Sequence, residues 1–296
     1  MPELPDITVY VERLEAKVRD DRLQRVRLLN PFLLRTAVPP IAEAEGRRVV
    51  GVERLGKRVV LALEGGLFLV IHLMIAGRLK WLAAGAKPPG KSPLAAFEFN
   101  AGTLVLTEAG SQRRASLHLL ASREALAAMD PGGIDVLHCD LAAFKQRLMV
   151  ENHTLKRALT DPRLFSGVGN AYSDEVLHRA RLSPVTLTKA LQDEAIQRLF
   201  EATRMVLLEW TARLRGEALA NGGWPGKVTA FHPEMAVHGR FGQPCPVCAA
   251  PVQRIVHADN ETNYCARCQT GGKVLADRAL SRLLKASWPR HIDDLA

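Results

Sequence analysis

The sequence predicts a multidomain α+β protein with an N-terminal antiparallel β-sandwich, a helical module after it and a four-cysteine zinc finger near the C-terminus. Three observations support this order. β-rich runs separated by turn signals fill the first third of the chain, amphipathic helical segments follow, and four cysteines form two close pairs. At 296 residues the chain is long enough for two domains with hydrophobic cores of their own.

The first predicted element is a helix directly after the opening letters MPELPD. Apolar residues recur at helical spacing through this segment: Ile7, Tyr10, Val11, Leu14 and Val18. Asp6 is placed to cap the first turn, because a carboxylate at a helix start accepts hydrogen bonds from backbone N–H groups. Position 2 therefore lies just ahead of a helix.

The next segment consists of short β-rich runs: LQRVRLL, RRVVGVERL, KRVVLALEGGLFLVIHL and FEFNAGTLVL. Residues 64–66 (Glu-Gly-Gly) and 100–102 (Asn-Ala-Gly) are typical of hairpin turns, which favour antiparallel pairing. We therefore predict an N-terminal domain over residues 1–130, built as a sandwich or a flattened barrel.

The second half of the chain is predicted to be mainly helical. Turn-forming residues favour a linker over 131–140, and helical segments such as LAAFKQRLMV, TLKRAL and GVGNAYSDEVLHRARL predict a domain over 141–235. Residues 188 to about 215 form one long amphipathic helix. A compact loop and strand element over 236–270 contains the cysteine pairs, and a basic tail over 271–296 follows. Apolar residues in the tail predict one further helix: Leu275, Ala279, Leu283 and Trp288.

The charge balance favours a polyanionic partner. The chain has 40 Lys and Arg against 31 Asp and Glu, a formal net charge of +9. Such a charge attracts nucleic acid or an anionic membrane surface, and charge alone does not separate the two. Because we find no leader peptide and no apolar run of the roughly 18 residues that a membrane span needs, we expect a cytoplasmic protein without a membrane partner. If the source is bacterial, we expect it to associate with the nucleoid.

The cysteine spacing predicts one structural Zn²⁺ ion. Cys245 and Cys248 form one C-x-x-C pair, Cys265 and Cys268 form another, and sixteen residues separate the pairs. Two such pairs supply four thiolates to a closed tetrahedral site. Four unrelated thiols are a poor explanation of this spacing, and an iron–sulfur cluster prefers other spacings. Cys139 is interpreted as a linker thiol outside the site.

Three motifs together resemble one family. The MPELPD opening, the GVGNAYSDE segment in the helical half and the C-terminal four-cysteine finger are similar to the formamidopyrimidine-DNA glycosylase and endonuclease VIII family of base-excision repair enzymes. The leucine at position 4 is more typical of the formamidopyrimidine branch than of the endonuclease VIII branch. The resemblance covers roughly residues 1–270 and implies a β-sandwich, a helix-two-turn-helix module and a zinc finger, with DNA as the partner.

The resemblance implies a catalytic role for Pro2, Glu3 and Lys57. Once Met1 is removed, the chain begins with the secondary amine of Pro2, and chain α-amino groups have a pKa near 8, so part of the population is unprotonated at neutral pH. Glu3 matches the family's carboxylate that moves protons at the sugar, and Lys57, on a predicted strand, matches its proton-donating lysine. Considered alone, Glu3 and Lys57 would be solvated surface charges.

Five further positions match the family's DNA-binding positions: His72, Ile75, Arg114, Asn170 and Asn260. His72 and Asn170 match residues that contact phosphates beside the lesion; the alternatives are a half-buried strand histidine and a helix N-cap. Ile75 matches a methionine that fills the space of the extruded nucleotide, and Arg114 belongs to the same DNA-probing set. Asn260 stands where the family's finger has an arginine.

The chain departs from the family pattern at several places. Ala115 replaces a phenylalanine that probes the base stack, and residues 151–153 (Glu-Asn-His) replace a lysine-rich triplet. Asp6 replaces a glutamate, and the 8-oxoguanine-capping loop over 217–231 matches poorly. Because the finger arginine is replaced by Asn260, a second (δ) elimination is in doubt.

The resemblance therefore predicts a monomeric bifunctional DNA glycosylase and AP lyase acting on double-stranded DNA with damaged bases or abasic sites. We expect base excision and β-elimination with an altered lesion preference. Two alternatives stay open at this point: a non-catalytic zinc-finger protein that binds damaged or branched DNA, and a glycosylase specific for oxidised pyrimidines.

Overall fold

A computed structural model describes residues 1–86, 92–109, 112–226, 228–257 and 260–295 of the chain. Its backbone divides into two compact units. The first comprises Met1–Pro131 and Trp210–Thr229, and the second comprises Gly132–Glu209 and Ala230–Ala296. The domain boundaries expected from the sequence stay a prediction.

The first unit is a two-sheet antiparallel sandwich preceded by a helix, as predicted. Helix α1 spans Leu4–Val18. The strands are β1 (Leu23–Leu28), β2 (Val49–Leu55), β3 (Arg58–Leu63), β4 (Leu67–His72), β5 (Gly77–Leu82), β6 (Pro93–Phe99), β7 (Thr103–Glu108) and β8 (Ser116–Leu120). One sheet has the order β1-β6-β7-β5 and the other β2-β3-β4-β8. A short helix, α2 (Arg123–Ala127), follows β8.

Both predicted hairpins are present. Residues 64–66 connect β3 to β4, and the two glycines there have φ of +85° and +77°, values that side-chain-bearing residues rarely adopt. Residues 100–102 connect β6 to β7. Strands β5 and β8 were missing from the predicted strand runs, because GRLKWL and SLHLL mix polar and apolar residues too evenly to stand out.

A single hydrophobic core joins α1 to strands of both sheets. The side of α1 that carries Ile7, Tyr10, Leu14 and Val18 is fully buried. Each such side chain stabilises the fold by about 1.5–3 kcal/mol relative to an exposed one. The core also includes Trp224, from the second segment of this unit. The first residues of α1 are therefore held against the sandwich.

The second unit contains the predicted helices and the finger. Its elements are α3 (Leu141–Leu148), α4 (Leu155–Thr160), α5 (Asn170–Ala180), the first part of α6 (Asp193–Ala220), β9 (Gln253–His257), β10 (Asn260–Tyr264), α7 (Ala266–Thr270) and α8 (Arg278–Leu284). Phe144 packs against Phe165 and Phe200, with ring centroids 4.9 and 5.3 Å apart. These rings form an aromatic core between the helices.

The C-terminal segment packs on the finger. Leu275 and Ile292 are buried in the apolar cluster of the finger, and the Leu275 N–H donates to the Tyr264 hydroxyl at 2.7 Å. The predicted tail helix exists as α8, which is shorter than the apolar spacing suggested because Leu275 is used in the finger core. None of the helices in the described part of the chain is long and apolar enough to cross a membrane.

The turn between β4 and β5 yields a stability prediction. A Cβ atom at Gly77 would lie 2.2 Å from the Leu73 carbonyl oxygen, whereas a Cβ at Gly51 would meet nothing within 4 Å. We expect Gly77→Ala to lower the free energy of unfolding by about 1–3 kcal/mol, because the backbone must shift to relieve the clash. The matched control Gly51→Ala should change it by less than about 0.5 kcal/mol. Denaturant titration measures both, and equal losses would contradict this packing.

Candidate active site and metal centre

The N-terminal end of α1 is a buried, ionisable site. Pro2 is buried, Glu3 is 2% exposed and Asp6 is 8% exposed. The Glu3 backbone N–H donates to Asp6 Oδ2 at 2.8 Å, which satisfies an N–H group that helix geometry leaves without an intrahelical partner. The predicted role of Asp6 in the first turn is thereby confirmed. The two carboxylates belong to one helix start.

Four charged groups act on the chain's terminal amine. Burial lowers the pKa of the Met1 amine below its usual range, Arg78 and Lys57 lower it further, and Glu3 and Asp6 raise it. Burial also raises the pKa of Asp6 to about 7, with the neighbouring Glu3 charge adding to the rise. An amine with a lowered pKa has a larger unprotonated fraction near neutral pH, which is the state that a nucleophile needs.

Lys57 lies in a hairpin turn and not on a strand, so the predicted strand position was wrong. Leu55 pairs with Arg58, which leaves Gly56 and Lys57 as a two-residue connection between β2 and β3. Gly56 has φ of +59°, the sign that a type II′ turn requires at its first central position. Arg54 Nη1 donates to the Gly56 carbonyl at 3.0 Å and closes the turn. The turn holds Lys57 close enough to act electrostatically on the amine.

His72 is the last residue of β4 and is half-buried. It pairs with Arg58 on one side and with Ser116 on the other. Burial, together with the charges of Arg58 and Lys57 and the nearby His118, lowers the pKa of His72 to about 4. His72 is therefore a neutral imidazole at pH 7, with one hydrogen-bond donor and one acceptor rather than a positive charge.

Ile75 is presented by a strained turn. Residues 73–76 connect β4 to β5, Met74 has φ of +52°, and Ile75 is 58% exposed. An exposed apolar side chain at the apex of a tight turn is suited to contact an apolar surface such as a base stack. The Gly77 N–H donates to the Leu73 carbonyl at 2.9 Å and fixes the turn.

A buried carboxylate organises the residues that precede β8. Glu108 is 2% exposed and accepts backbone hydrogen bonds from Arg114 at 3.1 Å and from Ala115 at 3.0 Å. The Arg114 side chain is exposed and donates to Gln112 at 2.6 Å. Ala115 is buried in the sandwich core, so this position does not present a side chain to solvent. Glu108 was missed from the sequence, where it stands at the end of the apolar run TLVLTE.

Asn170 is the first residue of α5, and its N-cap is Gly169. The alternative of a simple N-cap role for Asn170 is therefore wrong. Its side-chain amide donates to the Glu261 carbonyl at 3.0 Å, and its own carbonyl accepts from Lys156 Nζ at 2.6 Å. Lys156 also pairs with Asp174 at 2.5 Å. These bonds fix Asn170 between α4, α5 and β10.

Two buried acidic residues of α5 hold the segment that leads into the finger. Glu175 accepts the backbone N–H groups of residues 236, 237 and 238 at 2.7, 2.9 and 3.0 Å. Asp174 accepts from His238 Nδ1 at 2.8 Å and from the Asn263 N–H at 3.1 Å. Neither role was predicted from the sequence. There, Asp174 and Glu175 are only two adjacent acidic residues, in a helix that the structure shows to be buried on nearly all sides.

The four predicted cysteines form one metal centre. Their Sγ atoms all lie within 4.8 Å of one another, with Cys245–Cys268 at 4.0 Å and Cys248–Cys265 at 3.4 Å. Tetrahedral Zn–S bonds of about 2.3 Å place sulfur atoms about 3.8 Å apart, so the geometry fits one structural zinc ion with no open position. His178 Nε2 lies 3.3 Å from Cys245 Sγ and orients that ligand.

Asn260 begins β10 and is exposed. On the paired strand, Arg254 lies over the Phe241 ring at 4.3 Å and contacts Glu261 at 3.3 Å. The predicted site residues thus fall into two groups. The first unit brings together the N-terminus, Lys57 and the strand bearing His72, and the second unit places Asn170 beside the finger hairpin.

Models of known protein families match three segments of the chain. The family model of the formamidopyrimidine-DNA glycosylase N-terminal domain matches residues 1–115, that of its H2TH domain matches residues 133–218, and that of the zinc finger found in FPG and IleRS matches residues 242–271. The fold and the site together define a DNA-glycosylase scaffold with a structural zinc finger.

Individual relatives agree with the family models. Formamidopyrimidine-DNA glycosylase of Thermus thermophilus is 36% identical over 282 residues, which cover 92% of this chain and 100% of that protein. The crystal structure of the same organism's MutM (Fpg) has a TM-score of 0.76 at 35% identity and covers 90% of this chain and 98% of that chain. A Lactococcus lactis Fpg complex with abasic-site DNA shares the fold, with a TM-score of 0.80 at 24% identity over 90% of this chain and 99% of that one. The chain belongs to the formamidopyrimidine-DNA glycosylase family.

The metal centre yields a direct prediction. We expect the purified protein to contain one zinc per chain, and Cys265→Ser to lose it, because three thiolates no longer close the tetrahedral site. Elemental analysis measures the zinc, and limited proteolysis reports the folding of residues 242–271. Cys139→Ser is the control and should keep its zinc, since Cys139 lies outside the cluster. Full zinc content in Cys265→Ser would contradict the assignment.

The raised pKa of Asp6 yields a prediction about pH. Between about pH 4 and pH 7 the folded protein keeps a proton on Asp6 that the unfolded chain has lost, so the free energy of unfolding falls as pH rises through this window. The slope from this group is at most about 1.4 kcal/mol per pH unit. Asp6→Asn should flatten the profile, whereas Asp20→Asn, at an exposed carboxylate, should not. Urea titrations across the window test this, and an unchanged slope in Asp6→Asn would refute it.

Proposed function

We propose that this protein is a bifunctional DNA glycosylase and AP lyase of base-excision repair, which removes oxidised or ring-opened bases from double-stranded DNA. The observation that carries the proposal is the buried N-terminus, whose amine is held among Glu3, Asp6, Lys57 and Arg78. The 36% sequence identity with the Thermus thermophilus enzyme supports the same activity. The protein works as a monomer in the cytoplasm, a reducing compartment where the finger thiols remain available to zinc.

Pro2 is the proposed nucleophile. After removal of Met1, the Pro2 nitrogen attacks C1′ of the damaged nucleotide. The bond from C1′ to the base breaks, the base leaves with the electron pair, and the proton lost from the Pro2 nitrogen neutralises the base. Glu3 then protonates the ring oxygen, the C1′–O4′ bond breaks, and the nitrogen lone pair forms an iminium ion with C1′. At an abasic site the same amine displaces the C1′ hydroxyl as water.

Strand cleavage follows from the iminium ion. The positive nitrogen acidifies the C2′ proton; removal of this proton sends electrons into the iminium, and the 3′ phosphate leaves in a β-elimination. Lys57 is proposed to donate a proton in this step and to contact the phosphate. Water then hydrolyses the iminium and regenerates the amine of Pro2. We propose that the reaction stops after β-elimination, because Asn260 cannot supply the proton that the family's arginine is assigned to donate.

The DNA-binding residues are proposed to have different roles. Neutral His72 hydrogen-bonds a phosphate, and Asn170 lies at the start of an eleven-residue helix, where the helix dipole favours an anion. Ile75 enters the space left by the extruded nucleotide, and two exposed residues contact the DNA: Arg114 ahead of β8 and Asn260 at the start of β10. With Ala115 in the core, the base stack is probed by Ile75 without an aromatic side chain from the segment before β8.

A non-catalytic DNA-binding protein is disfavoured as the alternative. Burial of an amine and two carboxylates lowers the stability of the fold, because each group loses hydration in the folded state. A binding protein needs phosphate contacts and a charged surface, neither of which calls for a buried terminal amine. Specificity for oxidised pyrimidines remains an outcome of the experiment below.

Borohydride trapping tests the proposal. The protein with its N-terminal amine exposed by tag cleavage should form a covalent adduct with abasic-site DNA and with oxidised-base duplexes, because borohydride reduces the iminium. An uncleaved tag should remove the adduct, because it blocks the amine. Pro2→Gly should reduce the adduct, because glycine supplies a primary amine in place of the proline ring nitrogen. Lys57→Gln should slow strand cleavage by about 10²-fold or more, while Lys80→Gln, at an exposed lysine, should have little effect.

The products decide the remaining alternatives. A panel of ring-opened purine, 8-oxoguanine and oxidised-pyrimidine duplexes reports lesion preference, and denaturing gels separate the β-elimination end from the 3′ phosphate of a double elimination. Absence of an adduct with every substrate would exclude the glycosylase function.

A further inference from the structure

Arg78 is the second residue of β5, directly after the turn that presents Ile75. The site residues inferred from the sequence did not include it. Its guanidinium reaches three backbone carbonyls: Nη1 donates to Ile75 at 3.1 Å and to Gly77 at 2.6 Å, and Nε donates to Val228 at 2.6 Å. One side chain thus bonds the turn at Ile75 and a segment 150 residues further along the chain.

The same guanidinium lies near the N-terminus of the chain, where Pro2 becomes the first residue once Met1 is removed. Its charge lowers the pKa of the Met1 amine and also acts on Asp6 and Tyr10. The Tyr10 hydroxyl accepts a hydrogen bond from the Leu79 N–H at 3.4 Å, which ties α1 to β5 next to Arg78. The ionisable groups that face the amine are therefore Glu3 and Asp6 from α1, Lys57 from the β2–β3 turn and Arg78 from β5.

A second anchor holds the neighbouring segment on β5. Trp224 is 8% exposed, donates from Nε1 to the Leu79 carbonyl at 3.0 Å, and lies 5.8 Å from the Tyr10 ring. Asn221 Nδ2 donates to the Trp224 carbonyl at 2.9 Å. Consecutive residues of β5, Arg78 and Leu79, thus fix the chain at Val228 and at Trp224. This segment includes the region that matches the family's capping loop poorly.

We propose that Arg78 is a positioning residue for base excision: its guanidinium holds the Ile75 turn and the chain at Val228 in place beside the N-terminal amine before DNA binds. This inference rests on the proposed function. Arginine suits the role because its planar fork bonds several carbonyls at once, whereas lysine supplies the same charge at one point.

The geometry and the charge of Arg78 have separable effects. Excision of a damaged base needs the Ile75 turn to occupy the space of the extruded nucleotide, but cleavage at an abasic site needs the amine and no base removal. Arg78→Lys keeps a positive charge and loses the fork. Arg78→Met loses both, so the amine no longer has this neighbouring cation to lower its pKa.

The test compares these variants with the wild type and with Lys80→Met, an exposed residue two positions along β5. Single-turnover trapping on abasic-site DNA is measured across pH, and excision of a ring-opened purine is measured at about pH 7.5, where part of the amine is unprotonated. We expect both Arg78 variants to lose about tenfold or more in excision relative to abasic-site trapping. Arg78→Met alone should shift the rise of trapping rate to higher pH, by about one pH unit.

Two results would overturn the proposal or the effect of charge that accompanies it. An unchanged ratio of excision to trapping in both Arg78 variants would show that Arg78 positions nothing needed for base removal. An unchanged pH profile in a folded Arg78→Met would show that its charge does not act on the amine; if that variant fails to fold, the excision ratio of Arg78→Lys decides. Absence of trapping by the wild type itself would refute the proposed function instead.

Discussion

Burial of one side of α1 against both sheets is the interaction on which the candidate active site depends. Ile7, Tyr10, Leu14 and Val18 anchor this helix in the sandwich core, and because a helix is rigid, its first residues have little freedom once the apolar side is in place. The terminal amine, Glu3 and Asp6 are thereby forced into a region with little water. The altered pKa values of the amine and Asp6 are the electrostatic consequence of this burial.

The second unit uses buried charge for a different purpose. Asp174 and Glu175 accept hydrogen bonds from backbone N–H groups and from His238, so these carboxylates replace lost hydration with fixed partners. Zinc ligation then closes the finger, in which the cysteine sulfurs and the apolar cluster around Tyr264 stabilise a segment that has few other core residues. The carboxylates and the metal together determine where Asn170 and the β9–β10 hairpin lie.

The departures from the family pattern concern the surroundings of the reaction more than its chemistry. Pro2, Glu3 and Lys57 match the family, whereas Ala115 belongs to the core and Asn260 removes a cation from the finger hairpin. Two hydrogen bonds attach the poorly matching loop to β5. Trp224 donates to the Leu79 carbonyl, and Arg78 donates to the Val228 carbonyl. Ile75 is the exposed apolar side chain of the adjoining β4–β5 turn.

The amino-acid sequence by itself determined the fold class, most helices and strands, both glycine-rich hairpins, the zinc ligands and the family. These features depend on residues close together in the chain: the periodicity of apolar side chains, the left-handed conformations that glycine allows and the spacing of the C-x-x-C pairs. Only the tertiary structure decided that Lys57 lies in a turn and that Ala115 is buried. It also decided which backbone groups are bonded by Glu108 and Arg78 in the first unit and by Asp174 and Glu175 in the second. Their roles come from contacts between distant segments, such as Arg78 with Val228, and local sequence patterns carry no information about such pairs until the strands have found their register.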